Sequence, residues 1–299
     1  MRTLLIAGFG DVAQRAMPTL IQRWRVIALV RRPETAALAR KLGARPLLAD
    51  LDDAKSLARA AALADALLYT APPPQCGCHD TRLRKLLSAL IKTEIIPQRV
   101  VYISTTGVYG DALGRWLDET SPLAPESDRA RRRLDAETQI RRFAIRTGCS
   151  ATILRAPGIY ASERLPLARL ESGPPLFEQA DDSFGNHIHA DDLAGIAIAA
   201  LERLGGIRVY NACDDQPMLT GDWYDALADT FGRPRLVRAD RDTVRKLASP
   251  AQWSFLRESR RLSNRRLSEL RIRLRYPSVR DFLKEKSDAP SLAPRKVFG

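Results

Sequence analysis

MRTLLIAGFGDVAQRAMPTLIQRWRVIALVRRP, residues 1–33, is the stretch from which the fold can be worked out. Apolar residues dominate 1–7 and 26–30, as in two buried strands, and residues 14–23 between them suit a helix. Residues 8–13 join the first strand to the helix and have the spacing G-x-G-x-x-[G/A]. The stretch therefore predicts strand, glycine turn, helix and strand in that order.

The small residues of this turn each have a physical role in holding a dinucleotide. Gly8 permits a tight turn, Gly10 lets the backbone approach a pyrophosphate, and Ala13 lets the helix pack close to the strand. The helix N-terminus offers free N–H groups and the positive end of its dipole to phosphates. We therefore predict a dinucleotide site formed by Gly8, Phe9, Gly10, Asp11, Val12 and Ala13. The alternative is a tight turn that binds no ligand.

The residues after the second strand indicate which dinucleotide is bound. An NAD site usually has Asp or Glu there, bonded to the ribose 2′-hydroxyl. Arg31 and Arg32 occupy this position instead, and a guanidinium pairs well with a 2′-phosphate. NADP(H) is therefore favoured over NAD(H), although arginine is frequent throughout the chain.

Length and hydropathy narrow the class of protein. The chain has 299 residues, 45% of them hydrophobic, which allows one large domain with a smaller part, or two domains. No apolar run reaches the length of a membrane span, and the N-terminus is a strand rather than a secretion signal. We therefore expect a cytoplasmic protein with no membrane contact.

The net charge of +13 raises the question of a nucleic-acid partner. The excess is nearly all arginine, spread along the chain, and no basic stretch is interleaved with aromatic residues. We therefore expect a small-molecule ligand, with a phosphorylated or acidic one compatible with the charge, rather than nucleic acid. The sequence does not select an oligomeric state.

The cysteines give little indication of a metal site. Cys76-Gly-Cys78-His79 contains ligand residue types, but no second pair stands at zinc-finger spacing and the segment follows three prolines. Four cysteines in a chain of this length do not form a disulfide framework. We predict no metal.

Further along, apolar strands alternate with helices. Strands are predicted at 45–50, 66–71, 99–104, 151–155 and 208–210, and helices at 33–42, 57–64, 81–92, 129–147, 191–204, 220–231, 241–258 and 263–270. The alternation predicts an α/β fold, a Rossmann-type doubly wound parallel sheet with a smaller C-terminal substrate-covering part. Ligands of such sheets bind at the carboxyl ends of the strands, so further cofactor contacts are predicted at Asp50, Leu51, Ala71, Pro72 and Pro157.

This reading also sets the domain organisation. A Rossmann domain for NAD(P) is predicted at 1–160 and a mixed, substrate-binding part at 161–285. Within the second part, residues 185–215 are expected to return to the sheet. The last residues, 286–299, are predicted to form a loose tail.

Five segments carry a resemblance to a known family. They are Ser104-Thr-Thr-Gly-Val-Tyr-Gly110, Leu154-Arg-Ala-Pro-Gly-Ile-Tyr160, Asn186-His-Ile-His-Ala-Asp-Asp-Leu-Ala194, Tyr210-Asn211 followed by Asp214-Asp215, and Ser263-Asn264 with the run from Leu270 to Pro277. Together they resemble the extended short-chain dehydrogenases/reductases, the NAD(P)-dependent epimerase/dehydratase proteins, over residues 2–283. The resemblance implies a cofactor fold and, as the default expectation, a sugar or nucleotide-sugar-like substrate.

The resemblance fails at the residues that do the proton chemistry of that family. A Ser or Thr holds the substrate oxygen there, and Thr105 matches it. The family's Y-x-x-x-K pair, in contrast, falls on Arg129 and Arg133. Arginine stays protonated near neutral pH and cannot shuttle a proton, so Arg129 cannot replace the tyrosine as an acid/base. Arg133 can still hold a ribose hydroxyl, a phosphate or an acidic substrate, or lie on a solvated helix surface.

Two tyrosines are candidates for the missing acid/base. Tyr109 follows the fifth strand and Tyr160 the sixth, both at the expected cofactor rim, although a packed, hydrogen-bonded tyrosine is the alternative for each. His189 is a further candidate, and Asp191 beside it is predicted to be a helix N-cap. The predicted catalytic residues are therefore Thr105, Tyr109 and Tyr160.

Two functional hypotheses follow. The first is an NADP(H)-binding oxidoreductase or epimerase-like enzyme with an atypical active site. The second is a non-catalytic NADP(H)-binding sensor or scaffold, which the loss of Y-x-x-x-K supports.

Overall fold

The computed structural model describes residues 1–60, 63–92 and 95–288. Within these ranges, the central sheet has seven parallel strands, which run in the spatial order β7-β6-β5-β4-β1-β2-β3. The strands are β1 (Thr3–Ala7), β2 (Arg25–Val30), β3 (Arg45–Leu48), β4 (Ala66–Tyr69), β5 (Arg99–Thr105), β6 (Ser150–Ala156) and β7 (Ile207–Asn211). The strand order reverses beside β1, where ligands bind in open parallel sheets.

Helices connect the strands and build the rest of the molecule. They are α1 (Asp11–Arg23), α2 (Pro33–Lys41), α3 (Thr81–Leu90), α4 (Asp128–Thr147), α5 (Leu167–Ser172), α6 (Ala190–Glu202), α7 (Thr220–Phe231), α8 (Arg241–Leu247), α9 (Pro250–Leu256) and α10 (Val279–Asp288).

Apolar cores cover both faces of the sheet. Along β1, Leu4 and Ile6 face one core with α1 and α6, whereas Leu5 and Ala7 face the other with α3 and α4. Side chains of a strand alternate between the two faces, so a strand buried on both sides must be apolar throughout. The predicted α/β fold, a Rossmann-type doubly wound parallel sheet, is confirmed, and the predicted strands are correct to within two residues at their ends.

A third core lies in the C-terminal part. It is formed by α5, α7, α8, α9 and α10 and is rich in aromatic residues. Short strands connect this part with the loops at the sheet edge: Gly158–Tyr160 pairs with His187–His189, and Trp116–Leu117 with Arg261–Leu262. Other short strands pair within this part: Phe184–Gly185 with Met218–Leu219, and Leu176–Phe177 with Arg238–Ala239.

Three predicted helices are wrong in form. The segment 57–64 has only a short 3-10 helix, Ser56–Arg59, before residues 61–62, which lie outside the described ranges. The segment 241–258 is two helices, because Ser249 caps a new helix at Pro250, where the preceding helix cannot continue. The segment 263–270 is a 3-10 helix, Arg265–Leu270.

The predicted division at residue 160 and the tail at 286–299 stay predictions. Strand β7 lies within 185–215 and belongs to the central sheet. Residues up to Asp288 complete α10, and 289–299 lie outside the described residues. No helix in the described part is both long and apolar enough to cross a bilayer.

Candidate functional site

The glycine turn after β1 packs closely against the sheet at Gly8, and at Gly10 it borders open space. Gly8 has φ +97°, and a Cβ there would lie 2.4 Å from the backbone nitrogen of Ala71. The hydroxyl of Thr70 donates to the Gly8 carbonyl oxygen and fixes this approach. Around Gly10, in contrast, no atom lies within 4 Å of an added Cβ. Gly8 is therefore required by the fold, whereas Gly10 leaves room for a ligand.

The open side of the turn faces a cleft at the carboxyl ends of the strands. Gly10 is the N-cap of α1 and supplies no side-chain cap, so the first N–H groups of the helix stay available to a ligand. A cavity of about 630 Å³ lies over them and is lined by Gly10, Asp11, Val12, Pro72, Thr105 and Pro157, among others. We call this cavity the cofactor cleft.

Arg31 and Arg32 stand where the sequence predicts a 2′-phosphate contact. Both are exposed immediately after β2, and within the described ranges neither guanidinium group makes a hydrogen bond or ion pair with another residue. The positive charge of Arg31 contributes to the lowered pKa of Asp52, although the hydrogen bond from Arg82 is the largest cause. Two unpaired guanidinium groups are therefore available at this edge.

The residues after β3 form a turn beside these arginines. The Asp50 carboxylate accepts from the Asp52 N–H at 2.9 Å, and the Asp50 N–H donates to Ser56 Oγ at 2.9 Å. Leu51 is half-buried and packs against the adjacent core. Their predicted contacts with a cofactor stay predictions.

Arg133 ties α4 to the sheet next to the cofactor cleft. Its Nη1 lies 3.1 Å from the Tyr102 hydroxyl, 3.1 Å from the Ile103 carbonyl oxygen and 3.4 Å from that of Ala71. The side chain therefore crosses the carboxyl ends of β4 and β5 and lines the cleft, instead of lying on a solvated helix surface.

Arg129, one turn earlier on α4, lies where the cofactor cleft meets a second, inner cavity of about 470 Å³. Its guanidinium carbon is 4.7 Å from the centroid of the Phe255 ring. Thr105 also lines both cavities, and its Oγ1 accepts from the Gly107 N–H at 3.2 Å. Within the described ranges the hydroxyl donates no hydrogen bond, so its proton is free to be donated to a ligand.

Tyr109 is not placed at this junction. Its hydroxyl is buried between Asn211 Oδ1, at 2.7 Å, and Arg155 Nη1, at 2.9 Å. Burial raises the pKa of Tyr109 to about 12. Arg155 in turn holds Glu137 through two bonds, of 3.0 and 2.8 Å. A catalytic role for Tyr109 stays a prediction, and its hydroxyl is engaged by a buried network in which Glu137 of α4 also accepts from Ser104 of β5.

Tyr160 lies at the inner cavity but is deeply buried. Its ring packs edge-on against Phe282 and is tilted against Trp223, at 5.3 and 5.9 Å between centroids. Its hydroxyl is buried without a hydrogen-bond partner in the described structure, and burial raises its pKa well above the usual range. A catalytic role for Tyr160 stays a prediction.

The two histidines near Tyr160 differ in their bonding. The His189 Nδ1 accepts from the Asp191 N–H at 3.2 Å and is the N-cap of α6, so the prediction that Asp191 is the cap was wrong. Asp191 instead accepts from Arg15 Nη1 at 2.6 Å. His187 lines the inner cavity, and burial lowers its pKa to about 4, so it is neutral near pH 7.

That the protein binds no metal stays a prediction. Cys76 and Cys78 are exposed, and His79 Nδ1 lies 3.1 Å from Asp135 Oδ1. Within the described ranges, no group of three His, Cys, Asp or Glu side chains is arranged to hold an ion.

An ion-pair network not anticipated from the sequence crosses the cleft. Asp11, on the first turn of α1, accepts from Arg15 Nε at 2.8 Å and from Arg164 Nη1 at 3.1 Å. Arg15 also pairs with Glu163, next to Arg164. Arg164 follows the strand Gly158–Tyr160, so this network connects the glycine turn to the C-terminal part.

A family model described as NAD(P)H-binding matches residues 8–203. The chain belongs to this NAD(P)H-binding family. The match starts at Gly8 and includes the cofactor cleft, Thr105 and α4. The chain's structural neighbours lie in the superfamily of NAD-dependent epimerases/dehydratases and short-chain dehydrogenases/reductases, as the sequence resemblance implied.

Several proteins of known sequence or structure are similar to this chain over most of its length. Protein YeeZ of Escherichia coli K12 is 27% identical over 245 residues, 78% of this chain and 85% of that protein. A conserved protein of unknown function from Silicibacter pomeroyi is 30% identical, with a TM-score of 0.79 over 96% of this chain and 98% of its own. The UDP-glucose 4-epimerase of Thermotoga maritima, solved with UDP-glucose, shares the fold at 18% identity, with a TM-score of 0.74 and coverage of 96% and 97%.

Proposed function

We propose that this NAD(P)H-binding protein is an NADP(H)-dependent oxidoreductase or epimerase-like enzyme that acts on a sugar or nucleotide-sugar-like small molecule. One observation carries the proposal: the open space over Gly10 and the uncapped α1 continues, past Thr105 and Arg129, into a second cavity. The first cavity would hold the cofactor and the second the substrate. The Thr105 hydroxyl and the Arg129 guanidinium lie where the two cavities meet, as a reaction between a cofactor and a substrate requires.

The residues of the cleft fit a dinucleotide. The N–H groups at the start of α1 would hold the pyrophosphate, for which Gly10 leaves space. Arg31 and Arg32, unpaired within the described ranges, would bind a 2′-phosphate and so favour NADP(H). The bound cofactor would supply or accept a hydride.

Thr105 and Arg129 would act on the substrate oxygen. The Thr105 hydroxyl, whose proton is free, would donate a hydrogen bond to a carbonyl or hydroxyl oxygen. Arg129 would stabilise negative charge that develops on this oxygen, since a fixed cation beside the reacting atom lowers the barrier. The guanidinium cannot deliver the proton, so water, or Tyr160 after a local rearrangement, would supply it.

Arg133 would have a positioning role. Its Nη1 is anchored to Tyr102, Ile103 and Ala71, so the side chain is held at the ends of β4 and β5. From there it would bind a ribose hydroxyl of the cofactor, as the lysine of the family does.

A second function is supported by a different observation. The hydroxyl of Tyr109 is engaged by Asn211 and Arg155, and α4 carries arginines at the Tyr and Lys positions of the family. A non-catalytic NADP(H)-binding sensor or scaffold needs no acid/base, so this alternative is compatible with the site.

A kinetic comparison at Thr105 tests the two proposals. The protein is incubated with NADPH or NADP⁺ and a panel of UDP-sugars, aldoses and oxo acids, and cofactor absorbance and sugar NMR signals are followed. We expect turnover that falls about 100-fold or more in Thr105→Val, with unchanged affinity for NADPH. Thr105→Ser, which keeps the hydroxyl, should retain most of the native turnover rate.

If Thr105→Val turned over as fast as the native protein, the proposed role of Thr105 would be wrong. Cofactor binding without turnover on any compound would favour the sensor.

A further inference from the structure

The inner cavity carries an excess of positive charge. Its lining includes four arginines and one glutamate in the described chain: Arg129, Arg164, Arg169, Arg260 and Glu258. Two of these cations are already paired, because Arg164 bonds Asp11 and Arg260 bonds Glu258. Of the other two cations, Arg129 is exposed beside the Phe255 ring, and Arg169 is half-buried against the Tyr224 ring.

Arg169 is the cation with an unmet bonding requirement. It lies on α5 with its guanidinium carbon 4.7 Å from the centroid of the Tyr224 ring. Its Nε and Nη2 are both buried and have no hydrogen-bond partner in the described structure. Buried donors normally have an acceptor, so this pair of N–H groups is available to one.

The unpaired atoms form one edge of the guanidinium plane, and other arginines of this chain use the same edge for carboxylates. Arg155 bonds Glu137 through Nε and Nη2, at 3.0 and 2.8 Å. Arg82 bonds Asp52 through the same two atoms, at 2.9 and 2.6 Å. Two parallel N–H groups match the two oxygens of a carboxylate.

We propose that Arg169 binds a carboxylate of the substrate, so that the sugar-like substrate of the proposed function is a small carboxylic acid, such as a sugar acid, rather than a nucleotide sugar. This inference rests on the proposed function, because it assigns the substrate class of the same cavity. A single free edge beside the Tyr224 ring suits one negative charge. A phosphate dianion or a diphosphate would require a second cation beside this edge, whereas Arg164 and Arg260 are each paired with a carboxylate through Nη1 and Arg129 lies at the junction with the cofactor cleft.

The test is ligand-observed NMR on the full chain without cofactor. The probes are benzoate and its amide benzamide, glucuronate and its amide glucuronamide, and phenyl phosphate. At least one carboxylate should bind about tenfold more tightly than its amide, because the amide cannot accept both bonds of the Arg169 edge. Arg169→Gln should remove this preference. Arg169→Lys should remove most of the preference for the carboxylate, since lysine keeps the charge but lacks the two parallel N–H groups.

A matched control is Arg146→Gln, which removes an exposed arginine of α4 and should leave the preference unchanged. Equal binding of both carboxylates and their amides, an unchanged preference in a folded Arg169→Gln or Arg169→Lys, or tighter binding of phenyl phosphate than of benzoate would each overturn the inference. A separate titration with NADPH distinguishes this failure from that of the proposed function, since the acid probes are measured without cofactor.

Discussion

At the scale of the residue, Gly8 and Gly10 have different roles although they stand two positions apart. Gly8→Ala places a Cβ 2.4 Å from Ala71 N, at a backbone φ of +97°. We expect a loss of about 3 kcal/mol or more in the free energy of unfolding, measured with urea. Gly10→Ser meets no atom within 4 Å and adds a favourable N-cap, so the fold should keep its stability.

The same Gly10→Ser variant should bind NADPH about tenfold or more weakly, because its side chain enters the space for the pyrophosphate. Calorimetry would measure the affinity. Native affinity in Gly10→Ser would show that the glycine turn is not the phosphate site.

Asp214 is a second residue whose surroundings lead to a prediction. It is 1% exposed, Oδ2 has no hydrogen-bond partner in the described structure, and burial raises its pKa to about 8. The unfolded chain loses this proton near a pH of about 4. Between these pH values the folded state binds the extra proton, so the contribution of Asp214 to stability falls as the pH rises.

Asp214→Asn removes this titration. Relative to the native protein, the variant should gain stability with rising pH by at most about 1.4 kcal/mol per unit, and the gain should level off above a pH of about 8. Urea unfolding of both proteins at several pH values between about 5 and about 9 measures this difference in stability. A stability difference that is independent of pH would contradict the prediction.

At the scale of the element, α4 is held to the sheet by a buried ion pair. Glu137 accepts from Arg155 on β6 and from Ser104 Oγ on β5, and both partners of the pair are nearly inaccessible. Glu137→Gln should destabilise the fold by about 3 kcal/mol or more, because the Arg155 charge loses its counter-ion. The double variant Glu137→Leu/Arg155→Met should be less destabilised than Glu137→Gln, as unfolding in urea would show. A double variant that is as destabilised as Glu137→Gln, or more so, would contradict this.

The same elements show what local sequence signals can and cannot predict. The ends of α4 follow from Ser127 as N-cap and Gly148 in the left-handed conformation, both recognisable in the sequence. The buried network of Tyr109 was missed, because Asn211 and Arg155 are 102 and 46 residues away along the chain. The capping role of His189 was missed because aspartate is the commoner N-cap.

At the scale of the whole molecule, the fold could be predicted because strand and helix alternate with clear apolar patterns. The cofactor end of the site follows from the glycine turn, whose geometry local sequence determines. The inner cavity could not be predicted, since Arg164, Arg169 and Phe255 lie on short helices and loops without periodicity and come together only through tertiary packing.

The measurement that tests the central claim most directly is a calorimetric titration of the whole protein with NADPH and NADH at two salt concentrations. We expect NADPH to bind about tenfold or more tightly than NADH, and the preference to disappear in Arg31→Ala/Arg32→Ala, because the two unpaired guanidinium groups bind the 2′-phosphate. The preference should shrink at high salt, since both side chains are exposed. Equal affinity for the two cofactors would contradict the role of the arginines, and no binding of either would contradict the proposed function itself.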